Sequence, residues 1–519
     1  MAPFTFDTLA WCVPATYLAA SGWAALDRRL DETWRVAAVA SLISLAVALA
    51  AGAGAAWQAA SAGIRADGLG LAMTLLIALL GWVILRYSRR YLAGEPGQGR
   101  YLKAMLLTLA SVATVALTDH LGVLVLAWAM SSLGLHALLT FYADRPAALI
   151  VAHKKFLASR LAELCLAGAL ALVYRDTGSL YLDDIAAHLQ GMSTLPPGLA
   201  IAAALVALAV IFKSAQLPVH GWLIQVMEAP TPVSALLHAG VVNLGGLVLI
   251  RLAPLMTAAT PAREMLIAVG SLSAVLAGLV MMTRISIKVR LAWSTCAQMG
   301  FMLMECGLGL YDLAFLHLMA HSLYKAHAFL SAGDTVSEVR RRDLLPAFVQ
   351  RKPLPALVQK LAAAPIAVGA VAASAAAWSL LMPHLHLSAA AVLVAGLGLA
   401  PLLWHGMLAG AVRLLALAQL YIAWHLVFSV MVGTPAAPAS TPVLAWIGAC
   451  FVLLYLTQAW LQAFPRGRLA ARLYPWAYAG FYLDERFTRL TFRLWPARMP
   501  AHVVGASALP RPAAQGENA

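Results

Sequence analysis

Long apolar runs separated by short polar punctuation dominate this chain. About fifteen runs can be drawn, near residues 5–26, 36–56, 69–87, 104–118, 121–142, 152–174, 198–216, 231–252, 262–283, 289–308, 313–333, 361–382, 388–410, 412–433 and 442–463. A helix rises about 1.5 Å per residue, so most of these can cross a hydrocarbon core of about 30 Å. The pattern predicts an all-α integral membrane protein with about 14–15 transmembrane helices. No polar stretch is long enough to fold as a separate soluble domain. The longest are Asp334 to Lys360 and the segment after Pro465. The N-terminal Met1-Ala-Pro-Phe-Thr lacks a basic region, so Leu9 to Ala25 is expected to be a retained span, not a cleaved signal.

Composition agrees with this pattern. Hydrophobic residues make up 62% and charged residues 11%, against about 25% charged in soluble domains. The formal charge of +14 would suit a nucleic-acid binder, but the distribution of the charges argues against one. Arg28, Arg29, Arg35, Arg86, Arg89, Arg90, Arg100, Lys103, Arg145, Lys154 and Lys155 follow odd-numbered spans. So do Arg284, Lys288, Arg290, Arg340, Arg341, Arg342, Arg351, Lys352, Lys360, Arg466, Arg468 and Arg472. The opposite loops hold little beyond Arg65, Arg175 and Arg263, and carry Asp176, Asp183 and Asp184. By the positive-inside rule the N-terminus lies outside and the C-terminus in the cytoplasm. Anionic lipid headgroups, not nucleic acid, are then the partner of the basic face. The five cysteines are scattered without CxxC spacing, so neither a disulfide framework nor a metal site is expected, and no cofactor.

Chemistry is concentrated in a few ionisable residues inside the apolar runs. His317, His321 and Lys325 share one helix face. An ionisable group at the bilayer centre costs roughly 2.5–3.5 kcal/mol on insertion scales, so three on one stripe need a hydrated or paired interior. A proton relay supplies one, and a polar seam between helices is the structural alternative. Lys213 ends an apolar run, and Pro218, His220, Glu228, Pro230, Pro232 and His238 follow. Proline breaks a span near Pro218, and broken spans survive where protein or water satisfies the freed backbone. Transporters build ion sites at such breaks; a snorkelling lysine at an ordinary helix end is the alternative. Arg160 and Glu163, three residues apart, can pair on one face, either as a structural ion pair or as a carboxylate tuning a neighbouring lysine. Phe481 to Trp495 alternates aromatic and basic residues at helical spacing. It reads as an interfacial helix or a docking element, and residues 505–519 as disordered.

Three stretches carry a family resemblance: Lys213-Ser-Ala-Gln-Leu-Pro218 with Ala229-Pro-Thr-Pro-Val-Ser-Ala-Leu-Leu-His-Ala239, Ile287 to Gly300, and His317-Leu-Met-Ala-His-Ser-Leu-Tyr-Lys-Ala326. Over roughly residues 65 to 335 the chain resembles the antiporter-like, proton-conducting subunits of respiratory complex I and the Mrp antiporters. The resemblance implies two inverted five-helix repeats, each with a broken helix, and a charged axis at mid-membrane. That axis would comprise Lys213, His238, His317, His321 and Lys325, with Glu163 and Arg160 as an acidic–basic pair. The implied organisation is N-terminal helices to residue 100, repeats over 101–255 and 256–410, C-terminal helices over 411–464, and a cytoplasmic segment from 465.

Departures from the pattern narrow the resemblance. Complex I subunits carry Trp-Glu where this chain has Trp128 and Ala129, and residues 361 to 412 contain no Lys, Arg, Asp or Glu. With Pro218, His220 and Glu228 as accessory positions, the segment Lys213 to Pro230 is more similar to the membrane subunits of bacterial DAB inorganic-carbon accumulation systems. That likeness implies a non-enzymatic transporter subunit conducting H+ or Na+ inward. A cytoplasmic DabA-like partner, a zinc-dependent carbonic-anhydrase-like protein, would hydrate CO2. The alternatives are an ion-translocating subunit of a respiratory or Mrp-type complex, and a passive membrane anchor.

Overall fold

The computed structural model describes residues 6–26, 29–62, 67–192, 194–343, 353–382, 387–404, 406–432 and 439–495. Arg28, Arg65, Arg351, Lys352 and the expected disordered tail, 505–519, lie outside the described residues. The described residues are helical apart from turns and one isolated antiparallel bridge, His120 to Tyr181. The main helices are α1 (Cys12–Ala24), α2 (Leu30–Ala62), α3 (Gly68–Tyr91), α4 (Gln98–Leu117), α5 (Leu121–Leu139), α6 (Pro146–Thr177), α7 (Pro197–Lys213), α8 (Thr231–Ala239) and α9 (Leu244–Arg251). They continue with α10 (Thr260–Met281), α11 (Ile287–Gly307), α12 (Tyr311–Leu330), α13 (Pro353–Leu381), α14 (Ala389–Leu399), α15 (Met407–Val432), α16 (Thr441–Ala463), α17 (Arg468–Tyr478) and α18 (Glu485–Leu494).

Among the described residues the predicted spans fall on helix, except that the run 388–410 divides between α14, a 3-10 turn ending at Trp404 and the start of α15. Ten helices among the described residues are long and apolar enough to cross a membrane. α7 and the α14 region are apolar but shorter. α11 and α12 have spanning length, and they carry Glu305, Asp312, Lys325 and the histidines in place of an unbroken apolar surface.

Burial identifies the centre of the molecule. The stretch Thr231–Arg251, α8 with α9, is 94% buried over its most apolar window, whereas α13, α15 and α16 reach only 22%, 22% and 17%. α8 and α9 are therefore enclosed by protein, and the last three long helices present most of their surface outward, as a lipid-facing layer requires. α10 and α11 pack along their length through a glycine contact. A methyl group on Gly270 would lie 2.5 Å from the Gly300 carbonyl oxygen, and small residues permit such close backbone approach in membranes.

Some basic residues counted above as loop charges are not in loops. Lys154 and Lys155 lie within α6, and Lys360 within α13, and all three are buried. Each is held by partners inside the fold, which is why a cation can be there at all.

Candidate functional site

Two interruptions of helix meet at the centre. α7 stops at Lys213, and a turn with Ala215 at φ 52° and a cis Leu217–Pro218 bond leads to a short helix, Gly221–Ile224. Pro218 has no N–H for the Ser214 carbonyl, so the Gln216 side-chain amide donates to that oxygen at 2.8 Å. Cys296 Sγ donates to Ala215 O at 3.3 Å, and Leu217 N donates to Ser273 Oγ at 3.2 Å. The freed backbone is thus satisfied by side chains, as a break inside a membrane requires. The break predicted near Pro218 is present, with the helix ending five residues earlier.

The second interruption has no proline at its turn and leaves no mark in the sequence. α8 ends just after His238, Gly240 departs from helical angles, and a 3-10 turn, Val241–Asn243, precedes α9. Ser214 Oγ donates to Val242 O at 3.4 Å, so the two breaks touch. Gly245 permits this approach: a Cβ there would collide with the Ser214 hydroxyl. Asn243 Nδ2 then donates to Ala239 O at 3.0 Å and to Ser322 Oγ at 2.7 Å, tying the break to α12 beside His321.

Around the first break sits a lysine–carboxylate cluster. Lys213 Nζ donates to Ser132 Oγ at 3.0 Å and to Trp128 O at 3.2 Å, and it lies 4.7 Å from the Trp128 ring centre. Glu163 Oε1 is 3.3 Å from Lys213 Nζ, and Arg160 Nη2 is 2.8 Å from the other oxygen. Glu163 therefore serves both cations. Position 129 is alanine, and Glu163 is the acid paired with Lys213. Lys155 Nζ donates to Ser132 O at 3.0 Å, which adds a second buried ammonium at this point.

The α12 stripe forms the other half. Lys325 is fully buried, and its Nζ donates to Ser294 Oγ at 2.8 Å and Leu291 O at 3.1 Å, both on α11. His321 Nε2 lies 3.3 Å from His238 O. His238 stacks on Phe329 at 4.4 Å, and neither of its ring nitrogens has a hydrogen-bond partner among the described residues. His317 and His321 have ring centres 6.0 Å apart, and His317 Nδ1 is 2.9 Å from Glu305 Oε2. Glu305 is absent from the sequence-derived site, although a lone carboxylate in an apolar run is the same signal that singles out Glu163.

The accessory residues divide. His220 is buried, its ring 5.0 Å from that of Trp293. Glu228 pairs with Arg145 at 3.4 Å, both substantially exposed, and the structure does not bring it into the buried network. The aromatic–basic segment does not lie free. α18 packs on α6, where Asp484 and Thr488 hold Lys154 together with Gln225, and Trp495 stacks on His153 at 3.9 Å and 7°. Arg284, between α10 and α11, donates to Tyr478 O at 2.7 Å, and partial burial lowers its guanidinium from its ordinary value. A cavity of about 660 Å³ lies between this segment and the first break, lined by His220, Gln225, Trp293 and Asp484 among others. Among the described residues no cluster of three or more His, Cys, Asp or Glu is placed to hold a metal.

Two broken helices joined to a buried histidine–lysine stripe define an antiporter-like membrane subunit. Residues 118–403 match the family described as "NADH:quinone oxidoreductase/Mrp antiporter, TM", and residues 58–102 match "NADH-Ubiquinone oxidoreductase (complex I), chain 5 N-terminus". The chain belongs to this family. Within it, the chain is 39% identical over 500 residues to the probable inorganic carbon transporter subunit DabB of Hydrogenovibrio crunogenus, covering 91% of this chain and 92% of that protein. It is 38% identical over 453 residues to DabB2 of Halothiobacillus neapolitanus, covering 84% and 81%. Among solved structures, a chain of the Mrp complex from Dietzia sp. superposes with a TM-score of 0.54 at 25% identity, covering 96% of this chain and 58% of that one.

Proposed function

We propose that this chain is the proton-conducting membrane subunit of a two-subunit inorganic-carbon uptake system. Protons move inward through it, and a cytoplasmic zinc carbonic-anhydrase-like partner of the DabA type hydrates CO2 to bicarbonate. Coupling to the gradient makes hydration one-way. The observation that carries this reading is a set of ionisable side chains inside the helical core, Glu163 and Lys213 at the first break and His317, His321 and Lys325 on α12, joined through the two breaks by hydrogen bonds from Ser214 to the Val242 carbonyl and from Asn243 to Ser322. Such groups are costly in apolar surroundings and mark ion pathways. Imidazoles and lysines relay protons and do not coordinate sodium, so H+ is preferred to Na+. The similarity to DabB subunits supports the carbon-uptake assignment.

The basic loops support an inner-membrane orientation with the N-terminus outside and the C-terminus cytoplasmic. The organisation into two repeats over 101–255 and 256–410 belongs to the same proposal. A second reading, an ion-translocating subunit of a respiratory or Mrp-type complex, is favoured by the Mrp likeness.

The decisive experiment is to purify the membrane complex and identify its partner, then assay both. Carbon uptake by cells should collapse with a protonophore. The chain alone, with zinc supplied, should hydrate no CO2. Robust hydration by the isolated chain, or co-purification with quinone-reductase subunits only, would overturn the carbon-uptake reading.

A further inference from the structure

If protons reach Lys325 from outside, they need an inlet, and the broken helix that the family resemblance implies for the second repeat is poorly equipped for it. The interrupted stretch there, α14 with its following 3-10 turn to Trp404, holds no ionisable side chain from Ala389 to Trp404. Its turn is stapled by α13, where Gln359 Nε2 donates to Leu403 O at 3.1 Å and to Trp404 O at 3.3 Å. The nearby Lys360 is engaged, 3.9 Å from the Trp404 ring centre and 2.8 Å from Gln462 Oε1. These are the contacts of a structural fastening.

A different set of groups leads to Lys325. Asp312 is the second residue of α12, and His317, His321 and Lys325 follow at intervals of five, four and four. At about 1.5 Å per residue they descend one helix over roughly 20 Å. Each of the two outermost acids has an imidazole beside it. Asp312 Oδ2 is 3.0 Å from His425 Nδ1, at ion-pair distance but not aligned for a hydrogen bond, and Glu305 Oε2 is hydrogen-bonded to His317 Nδ1 at 2.9 Å. Glu305 lies two residues before the end of α11, so both pairs occupy the end of the helices opposite Arg284, Lys288 and Arg290. His425 is only 6% exposed, the one titratable residue on the inner stripe of α15, which it shares with Leu414, Ala418, Ile422 and Phe428. A histidine pointed inward from a lipid-facing helix, against an acid, needs an explanation beyond packing.

We infer that Asp312–His425 and Glu305–His317 form the inlet leg of the proton path, bypassing α14 and its turn. The inference rests on the proton-conduction function proposed for this chain. Each group gains one proton from its outer neighbour and passes one inward, with no other bond changed. His317 bonds Glu305 through Nδ1 and has Nε2 free of partners among the described residues. Its ring can therefore accept at one nitrogen and release at the other. The step from the first pair to the second spans about one and a half helical turns, roughly 7.5 Å along the axis, and requires bridging water in addition to the His425 ring.

The test uses the full chain, with its co-purified partner, in liposomes containing a pH-sensitive dye, with an imposed inside-negative potential. Glu305→Gln and His425→Phe should each slow proton influx at least tenfold at equal reconstituted protein. Glu305→Asp should keep at least a third of the rate, and Lys360→Gln should stay within twofold of the parent. Influx within twofold of the parent in both Glu305→Gln and His425→Phe would overturn the inlet while leaving conduction standing. So would a tenfold loss in Lys360→Gln, which would return the path to the turn after α14. Equal loss in Glu305→Asp and Glu305→Gln would make the residue structural and would overturn the inlet as well. A parent protein that conducts no protons would instead overturn the conduction reading itself.

Discussion

At the scale of single residues, the decisive feature is one carboxylate shared by two cations. Glu163 stands within ion-pair distance of both Lys213 and Arg160, with Lys155 close by on the same serine. Removing one partner from a buried pair leaves an uncompensated charge, at about 3–5 kcal/mol for a fully buried case. Lys213→Ala and Lys325→Ala are expected to abolish carbon uptake while the protein stays in the membrane, as whole-cell uptake alongside an immunoblot would reveal. Normal uptake in both variants at parental protein levels would remove the conduction mechanism. Glu163→Gln should lower uptake at least tenfold. Adding Ala129→Glu to that variant returns a carboxylate beside Trp128, whose carbonyl already accepts from Lys213. It should recover uptake to within about threefold of the parent, and no recovery would mean that the acid must come from α6.

At the scale of helices, two contacts are exposed to test. Gly270→Val should separate α10 from α11, since even a methyl meets the Gly300 carbonyl, and should lower the protein level in membranes. A conservative change on an outward face, Leu380→Val, should leave it unchanged. The docked tail is the other contact. Lys154→Ala should leave Asp484 only modestly affected, because its side chain is 19% exposed, whereas Asp484→Ala strands the fully buried Lys154 ammonium. The second variant should therefore be the less stable in a detergent melting assay, and Lys154→Met combined with Asp484→Ala should recover most of the loss.

The helices themselves are legible in the sequence because apolar length is a strong signal in a membrane protein. The break after Lys213 is legible too, because Pro218 removes a donor. The break after His238 is not, since Gly240 in an apolar run carries no such mark. Lys154 and Lys155 look like loop charges because their partners, Asp484 and Ser132, are remote in sequence. The aromatic–basic periodicity of 481–495 announces an amphipathic helix. It cannot announce that the helix's inner face rests on α6.

At the scale of the molecule, the basic and acidic ends predict an orientation. A reporter cysteine near Asp184 in intact cells should react with an impermeant thiol reagent, and one near Arg341 should not; the reverse pattern would invert the topology. One contact between residues far apart along the chain has another consequence. The ammonium of Lys154, at residue 154, waits for an acid that the ribosome delivers only at residue 484. A chain cut short before that point would hold this ammonium with Gln225 alone, and without its counter-charge. The order of synthesis thus becomes an order of closure: the charge of Lys154 is matched only when nearly the whole chain has been made.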